Sequence, residues 1–574
     1  MKGKYIKRKI SEPEKTFTSI AFNKRGSLST GSHDIGNKTC IDGQSVPFDT
    51  DVTMTNGFTR TASGMNQISK NFSGAQTESD QNSEKIAIYK KIYLCYFCGM
   101  RILPLVLVFF VIMFLFLVLP ILTILKMKKV KILPKDPFEG ISYEDIHFYK
   151  LAKNYTVVDQ PLVPNKFFID PDTPKKDMKW KSSNGETWVL VFSDEFNKDG
   201  RDFNPGKDPV WESQDLWYWS TQNLEYLTHE NVYTKNGSMF LTLKKESIRK
   251  GLNFTSGMVN SWNKFCFQGG YLEARVSLPG KGNVAGYWPA IWTLGNLGRA
   301  GFGSTVDGLW PYSYNTCDSS VLPNQANPYL SKLPGQRLNA CVCKGDHPSP
   351  GIGRGAPEID MFEATVEYGG VPSLSMSYQV APFDFHSKFK KKYTKIFNPG
   401  QRIPGQTKYN MYLGDDMQQT LSALHYVDSS VSGGREYQVY GFEYEPGPDG
   451  YIQWYADGIP VWRVDAKSVG PNEISRVSQR VIPEEPMYII MNLGISENFG
   501  AIDMDNLEFP ASLYIDYVRL YQHPKRIKLS CDPPDRPTAK YILNHPRAYF
   551  NRNYTTWKET GYGLPKYDFS GCKK

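Results

Sequence analysis

Two hydrophobic textures divide the chain. Residues 102–125 form one apolar run of 24 residues, interrupted only by Pro104, Pro120 and Thr123. That length spans a bilayer as a helix, and no other run competes with it. From Trp188 onward, short runs of β-forming residues alternate with Gly, Asn, Asp and Pro; they occupy 188–192, 238–244, 270–277, 374–380, 437–443, 452–455, 487–493 and 513–521. Strands this short and frequent predict an all-β sandwich or barrel. Asp457-Gly458 is placed for a hairpin turn. Residues 1–85 are rich in Ser, Thr, Asn and Gly without a sustained apolar period, which predicts disorder. Residues 136–186 hold many prolines and lysines and read as a stalk, with a short helix over 143–155. The expected organisation is a disordered cytosolic tail over 1–100, a transmembrane signal-anchor over 102–125 and a lumenal stalk over 126–186. A sandwich follows over 187–525, with an insertion over 296–356, and then an extension over 526–574.

Inside the β region lies Glu358-Ile359-Asp360-Met361-Phe362-Glu363. On a strand, Glu358 and Asp360 share one face, with Ile359 and Met361 on the other. Glu363 has the wrong parity unless a β-bulge at Met361-Phe362 adds one residue and returns it to the face of Glu358. Three like charges on one strand face repel and lower stability, which makes sense if that face performs chemistry. Two carboxyl groups about 5 Å apart serve a retaining glycosidase or transglycosidase. A third between them holds a proton, orients the nucleophile and pushes the partners' pKa values apart. The bland alternative is an acidic, solvated strand edge.

Charge and cysteines refine the compartment. Of the formal net charge of +9, residues 1–101 carry +6 and Lys126, Lys128, Lys129, Lys131 and Lys135 carry +5, which leaves −2 for residues 136–574. The large domain therefore has no nucleic-acid footprint. Met1-Lys2-Gly3-Lys4 opens a charged tail rather than a signal peptide. The positive-inside rule, taken literally, puts the lysine-rich C-terminal side in the cytosol, but long domains translocate largely regardless of flanking charge. Six cysteines after the run, Cys266, Cys317, Cys341, Cys343, Cys531 and Cys572, form an even set compatible with three disulfides and favour a lumenal C-terminal part. Sequons at Asn154, Asn236, Asn253 and Asn553 lie on that side, while Asn37 and Asn71 lie on the other. No cluster calls for a metal or a cofactor, and zinc at the insertion cysteines has only His347 to support it.

Aromatic residues make up 14% of the chain, with 12 Trp and 35 Tyr. Trp288-Pro289-Ala290-Ile291-Trp292 offers two indoles for stacking on glucose faces, with core packing as the alternative. Trp217-Tyr218-Trp219 followed by Gln222-Asn223 offers a second aromatic-plus-amide pair. The insertion ends just before Glu358, and a loop of its length is either functional or disordered. Its cysteines argue for order: Cys317 is expected to bond Cys341 or Cys343, and Cys531 with Cys572 to close a loop in the extension.

Phe192-Ser193-Asp194-Glu195-Phe196, the 270–279 stretch with Glu273, Trp288 to Trp292, Glu358 to Glu363 and Ile515-Asp516-Tyr517-Val518-Arg519 together resemble the laminarinase-type members of glycoside hydrolase family 16. Gly295-Asn296-Leu297-Gly298-Arg299, Trp310-Pro311-Tyr312-Ser313-Tyr314, Leu333-Pro334-Gly335-Gln336-Arg337-Leu338 and Gly353-Arg354-Gly355-Ala356-Pro357 resemble a narrower group, the fungal membrane proteins associated with β-1,6-glucan synthesis. The resemblance implies a concanavalin-like β-jelly-roll with a concave sugar cleft, on a single-pass type II protein of the secretory pathway and plasma membrane. Its partners would be β-glucan, the lipid bilayer and the glucan synthesis machinery. Glu358 would be the nucleophile, Asp360 its helper and Glu363 the acid/base, with Trp288, Trp292, Trp219, Asn223 and Gln379 as substrate-binding candidates. Many hydrolytic relatives carry a His on the next strand; here it reads Ser375-Met376-Ser377-Tyr378-Gln379. That departure, with an insertion that would cover part of the cleft, argues against simple endo-hydrolysis and is compatible with transglycosylation, without deciding between water and a sugar as second substrate. The competing reading is a non-catalytic glucan-binding or assembly protein. A third is a role in glycoprotein maturation.

Overall fold

The computed structural model describes residues 112–118 and 169–572, apart from 248–250, 323–324, 326–330, 383, 385–387 and 474–476. The chain divides into two units, 1–125 and 126–574. In the first, the described residues form a short apolar helical turn that includes Phe114–Val118. The expected tail, most of the apolar run, the helix over 143–155 and Asn154 lie outside the described residues. Among the described residues no helix is long and apolar enough to cross a membrane.

The second unit is a β-jelly-roll sandwich. A ten-stranded sheet is centred on Gly270–Ser277, Gln438–Glu445 and Ala511–Gln522, and an eight-stranded sheet on Trp288–Gly295, Glu358–Glu367 and Val371–Val380. Neighbouring strands in both are antiparallel. The inter-sheet core takes Leu272, Ala274 and Val276 from the first sheet and Ile291, Ile359, Met361 and Phe362 from the second. Period-2 alternation explains this: every second residue enters the core. Met487–Gly494 does not alternate; it is apolar nearly throughout and buried on both faces. Asp457 and Gly458 join Tyr451–Ala456 to Ile459–Asp465 with φ of +48° and +74°, a turn both residues tolerate.

Two expectations are corrected. Residues 169–186 are not a free stalk: Lys179–Lys181 pairs with Thr187–Asp194, and Trp180 stacks on Tyr271 with ring centroids 3.8 Å apart. That stack covers apolar surface on the outer face of the ten-stranded sheet. Nor does Cys531 bond Cys572. Cys531 pairs with Cys266 and Cys572 with Cys343, across Cα separations of 4.7 and 5.2 Å, while Cys317 bonds Cys341 within the insertion. The extension is thus fastened to the sandwich near its start and to the insertion at its end.

A second apolar core explains why Met487–Gly494 is buried twice. It lies on the outer face of the eight-stranded sheet and joins Leu294, Trp292, Tyr488 and Ile490 to side chains of the insertion and the extension. The insertion contributes Leu297, Phe302 and Leu309. The extension contributes Tyr541, Tyr549 and Trp557, around two short helices, Ala539–Asn544 and Pro546–Phe550.

Candidate active site

The strand Glu358–Glu367 positions the carboxylates. Asp360 stands opposite Trp292 and Glu363 opposite Ala290, while Ile291 stands opposite Phe362, so the register slips between Asp360 and Glu363. Met361 and Phe362 both enter the inter-sheet core, and both are fully buried. One residue is thereby absorbed, and Glu358, Asp360 and Glu363 share the outer face. The backbone is pinned from behind: Trp454 Nε1 donates to the Asp360 carbonyl at 2.8 Å, and Thr293 Oγ1 donates to the Ile359 carbonyl at 3.1 Å.

Each acid has its own donor. Trp310 Nε1, from the insertion, donates to Glu358 Oε2 at 2.7 Å. Trp288 Nε1 donates to Glu363 Oε1 at 3.0 Å, and its ring stacks on Phe499 at 4.2 Å. Gln379 Nε2 donates to Asp360 Oδ2 at 3.0 Å, and Thr420 Oγ1 donates to Gln379 Oε1 at 2.6 Å, which fixes the amide. Asp360 is also hydrogen-bonded to Glu358.

Burial raises all three carboxyl groups. Burial and then the Glu363 charge push Glu358 up to about 8, against the pull of Trp310 and Asp360. Burial and then Asp360 push Glu363 up to about 8, opposed by Trp288. Asp360 is raised well above the usual carboxylate range by burial and by Glu358. The groups titrate as a unit, so a proton taken up by one lowers the others. Asp360 holds its proton and donates it to Glu358. Glu358 thus has two donors that favour its anion, Trp310 and Asp360, while Glu363 has one, Trp288. Burial raises the Tyr218 hydroxyl, helped by the Glu358, Asp360 and Glu363 charges that it faces. An anion and a proton donor held on one face can attack a carbon and protonate its leaving oxygen.

Other sequence candidates fall differently. Trp288 is beside Glu363. Trp292 is on the same face but is not a sugar platform: its ring lies in the second core, 9% exposed, and its Nε1 donates to Asn492 Oδ1 at 2.8 Å. Asn223 is buried and its amide is engaged inside the protein: Nδ2 donates to Glu225 Oε1 and Oδ1 accepts from Thr221, both at 2.6 Å. Gln379 is spent on Asp360 and Thr420. Trp219 is half-buried and fits against Gly303, where an added Cβ would come within 2.4 Å of its ring. Asn236, Asn253 and Asn553 are exposed.

Sequence reasoning missed Trp310, whose motif was visible but whose reach to Glu358 was not. It named Tyr218 only as part of an aromatic stretch, and it missed Phe499 and a hydroxyl cluster where a His was looked for. In that cluster Ser377 donates to Ser422 at 2.9 Å, and Ser375 lies 3.0 Å from Ser422. No local pattern marks these residues, because they come from separate segments.

A family model described as beta-glucan synthesis-associated protein SKN1/KRE6/Sbg1 matches residues 70–572. The chain is 40% identical over 454 residues to "Beta-glucan synthesis-associated protein SKN1" of Candida albicans, covering 77% of this chain and 60% of that protein. It is 42% identical over 412 residues to "Beta-glucan synthesis-associated protein KRE6" of Saccharomyces cerevisiae, covering 70% and 56%. The alignments thus span somewhat over half the length of these two relatives. Among solved structures, the catalytic domain of an endo-1,3-beta-glucanase (laminarinase) from Thermotoga petrophila is similar over 59% of this chain and 98% of that one, at 20% identity and a TM-score of 0.36.

Proposed function

Because the chain belongs to the beta-glucan synthesis-associated protein family SKN1/KRE6/Sbg1, we propose that its sandwich is a retaining glycosidase or transglycosidase that acts on β-glucan in cell-wall assembly. The apolar run 102–125 would anchor it in a membrane of the secretory pathway, with the sandwich on the lumenal or outer side. Glu358 attacks the anomeric carbon while Glu363 protonates the departing glycosidic oxygen. The sugar is then an ester of Glu358, and Glu363, now a carboxylate, deprotonates the incoming hydroxyl that breaks the ester. Asp360 and Trp310 hold Glu358 in place and stabilise its charge before attack and on release. The acceptor is a sugar hydroxyl more readily than water, because the insertion and the extension cover one side of the site face.

The observation that carries this reading is the bulge at Met361-Phe362, which brings Glu363 onto the face of Glu358 and Asp360. The test is to incubate the protein and its Glu358→Gln and Glu363→Gln variants with β-1,3- and β-1,6-gluco-oligosaccharides and analyse the products. In parallel, each variant is tested for restoring wall β-1,6-glucan in cells that lack the protein. The proposal expects both variants to lose product formation and fail to restore the glucan. Full restoration by both would reject turnover and leave a glucan-holding assembly role.

A further inference from the structure

We infer that the site takes a β-glucan by one end and excludes the interior of the chain. The inference rests on the glucan reading above and adds what that reading leaves open, the part of the polymer that enters.

A glucan bound by its middle needs a path across the strands on both sides of the carboxylates. On the side of Trp288–Gly295, Met487–Gly494 and Met258–Asn260, that path is filled. Leu294, Tyr488, Ile490 and Met258 are each at most 2% exposed, beneath the insertion and the extension. Trp262 lies under Tyr549, with rings 6.1 Å apart, and the Ala300 backbone N–H donates to the Tyr488 hydroxyl at 3.0 Å. A sugar on that side would have to displace a packed apolar core, which is close-packed like any protein interior.

The insertion also closes the Glu358 end of the strand. Trp310 is bonded to Glu358, and Lys332, further along the insertion, pairs with Asp416 on the segment before Gln419–Tyr426. The insertion therefore contacts the carboxylate strand at Glu358 and reaches the segment before Gln419–Tyr426 through an exposed ion pair.

The remaining side is different in kind. Beside the carboxylates it holds, among the described residues, no apolar core but a small, buried polar cluster, Ser375, Ser377 and Ser422, with the Asn410 amide 3.2 Å from Ser422 Oγ. Its rim carries Met411, Tyr412 and Met417, which are 88%, 49% and 46% exposed. Asn410, next to this rim, donates to Ser375 and Ser422 on the site face, and burial, then the Asp415 charge, then the Glu363 charge raise the Tyr412 hydroxyl. Exposed Met and Tyr side chains suit the apolar face of a sugar. The glucan extends over this rim, and its terminal residues stop at the carboxylates.

The test uses full-length Glu358→Gln protein, which binds without turnover, and titration calorimetry. The probes are linear β-1,3- and β-1,6-glucohexaose, the same oligomers with a bulky fluorophore on the reducing or the non-reducing end, and a cyclic β-glucan without ends. The expected result is that the linear oligomers bind, a tag at one end but not the other abolishes binding, and the cyclic glucan binds about 10-fold more weakly or worse. Cyclic and end-tagged glucans binding as tightly as the untagged oligomers would overturn the end-on inference and leave the glucan reading intact. Failure of every glucan to bind would overturn both.

Discussion

Replacing Trp310 with Phe isolates one hydrogen bond in the proposed mechanism. The phenyl ring keeps most of the packing against the second core but loses the Nε1 donor that lies 2.7 Å from Glu358 Oε2. A hydrogen bond to a charged acceptor contributes ~1.5–3 kcal/mol. Glu358 is half-buried, so the lower end applies, equivalent to ~1 pKa unit. The donor favours the carboxylate, so its loss raises Glu358 further above its starting point of about 8. Attack needs Glu358 ionised and Glu363 protonated. The acidic limb of the pH profile for kcat/KM therefore moves to higher pH by ~1 unit, and activity below that limb falls by ~10-fold. The high-pH side, set by Glu363, stays in place, so the optimum moves to higher pH and its height falls. Part of the loss returns at high pH, where the more basic carboxylate is the better nucleophile. The assay is oligosaccharide turnover across pH 4–9 for wild type and Trp310→Phe, with thermal unfolding as the fold control. A uniform loss with both limbs unmoved would refute the argument, because it would make Trp310 a packing residue without influence on the charge of Glu358.

Two further substitutions test the neighbouring assignments. Glu225 is fully buried, accepts from Asn223 and the Ile495 N–H, and is pushed up to about 8 by burial. It therefore stays protonated when folded but ionises near its ordinary value of 4.5 when unfolded, and stability drains away as pH rises from about 4.5 to about 8, by up to ~1.4 kcal/mol per unit. Glu225→Gln lacks that slope: urea unfolding should show it less stable than wild type at pH 5, with the gap closing or inverting by pH 8, and parallel curves would exclude the buried acid. Trp292→Phe should lower stability by ~1–3 kcal/mol by stranding Asn492 Oδ1, with glucan binding by the Glu358→Gln protein unaffected; a large loss of binding would return Trp292 to the sugar site.

The carboxylate geometry was legible because strand parity is a local rule. Glu358 and Asp360 agree, Glu363 disagrees, and one bulge repairs it at the only place where two adjacent apolar residues can both turn inward. The hairpin at Asp457-Gly458 was legible for the same reason. What could not be read was which apolar residues meet. Leu297, Phe302, Tyr541 and Trp557 look like ordinary core residues, and nothing near them says that they fill half of the site face. Trp292 shows the consequence: its position on the site face follows from the register, but its environment depends on segments that begin before residue 310 and end after residue 550. The cysteine pairing failed in the same way, since Cys531 has Cys572 nearer in sequence but Cys266 nearer in space.

The cover is part of the fold and not a loose lid, and Arg354 is the residue that shows this. Its side chain is fully buried. It makes two 2.7 Å bonds to the Glu485 carboxylate and donates to the carbonyls of Pro537 at 2.7 Å and Arg536 at 3.0 Å. One guanidinium therefore joins the end of the insertion, the segment leading into Met487–Gly494 and the start of the extension. The fork of an arginine suits this, because its five donors reach a carboxylate and two carbonyls at once. Arg354→Leu would leave the Glu485 charge and both carbonyls without those donors, at a cost of ~3–5 kcal/mol. The hydrogen-bond partners of Arg354 named above lie outside both sheets, and Cys266–Cys531 and Cys343–Cys572 still hold the extension at both ends. The loss should therefore be local. Hydrogen exchange should quicken across 532–557 and 297–309 while Gly270–Ser277 and Gln438–Glu445 stay protected. The unchained face should also admit a cyclic glucan that the intact protein rejects. Exchange that quickens evenly through both sheets would mean that the cover and the sandwich unfold as one unit, and that the site face cannot be opened without losing the fold.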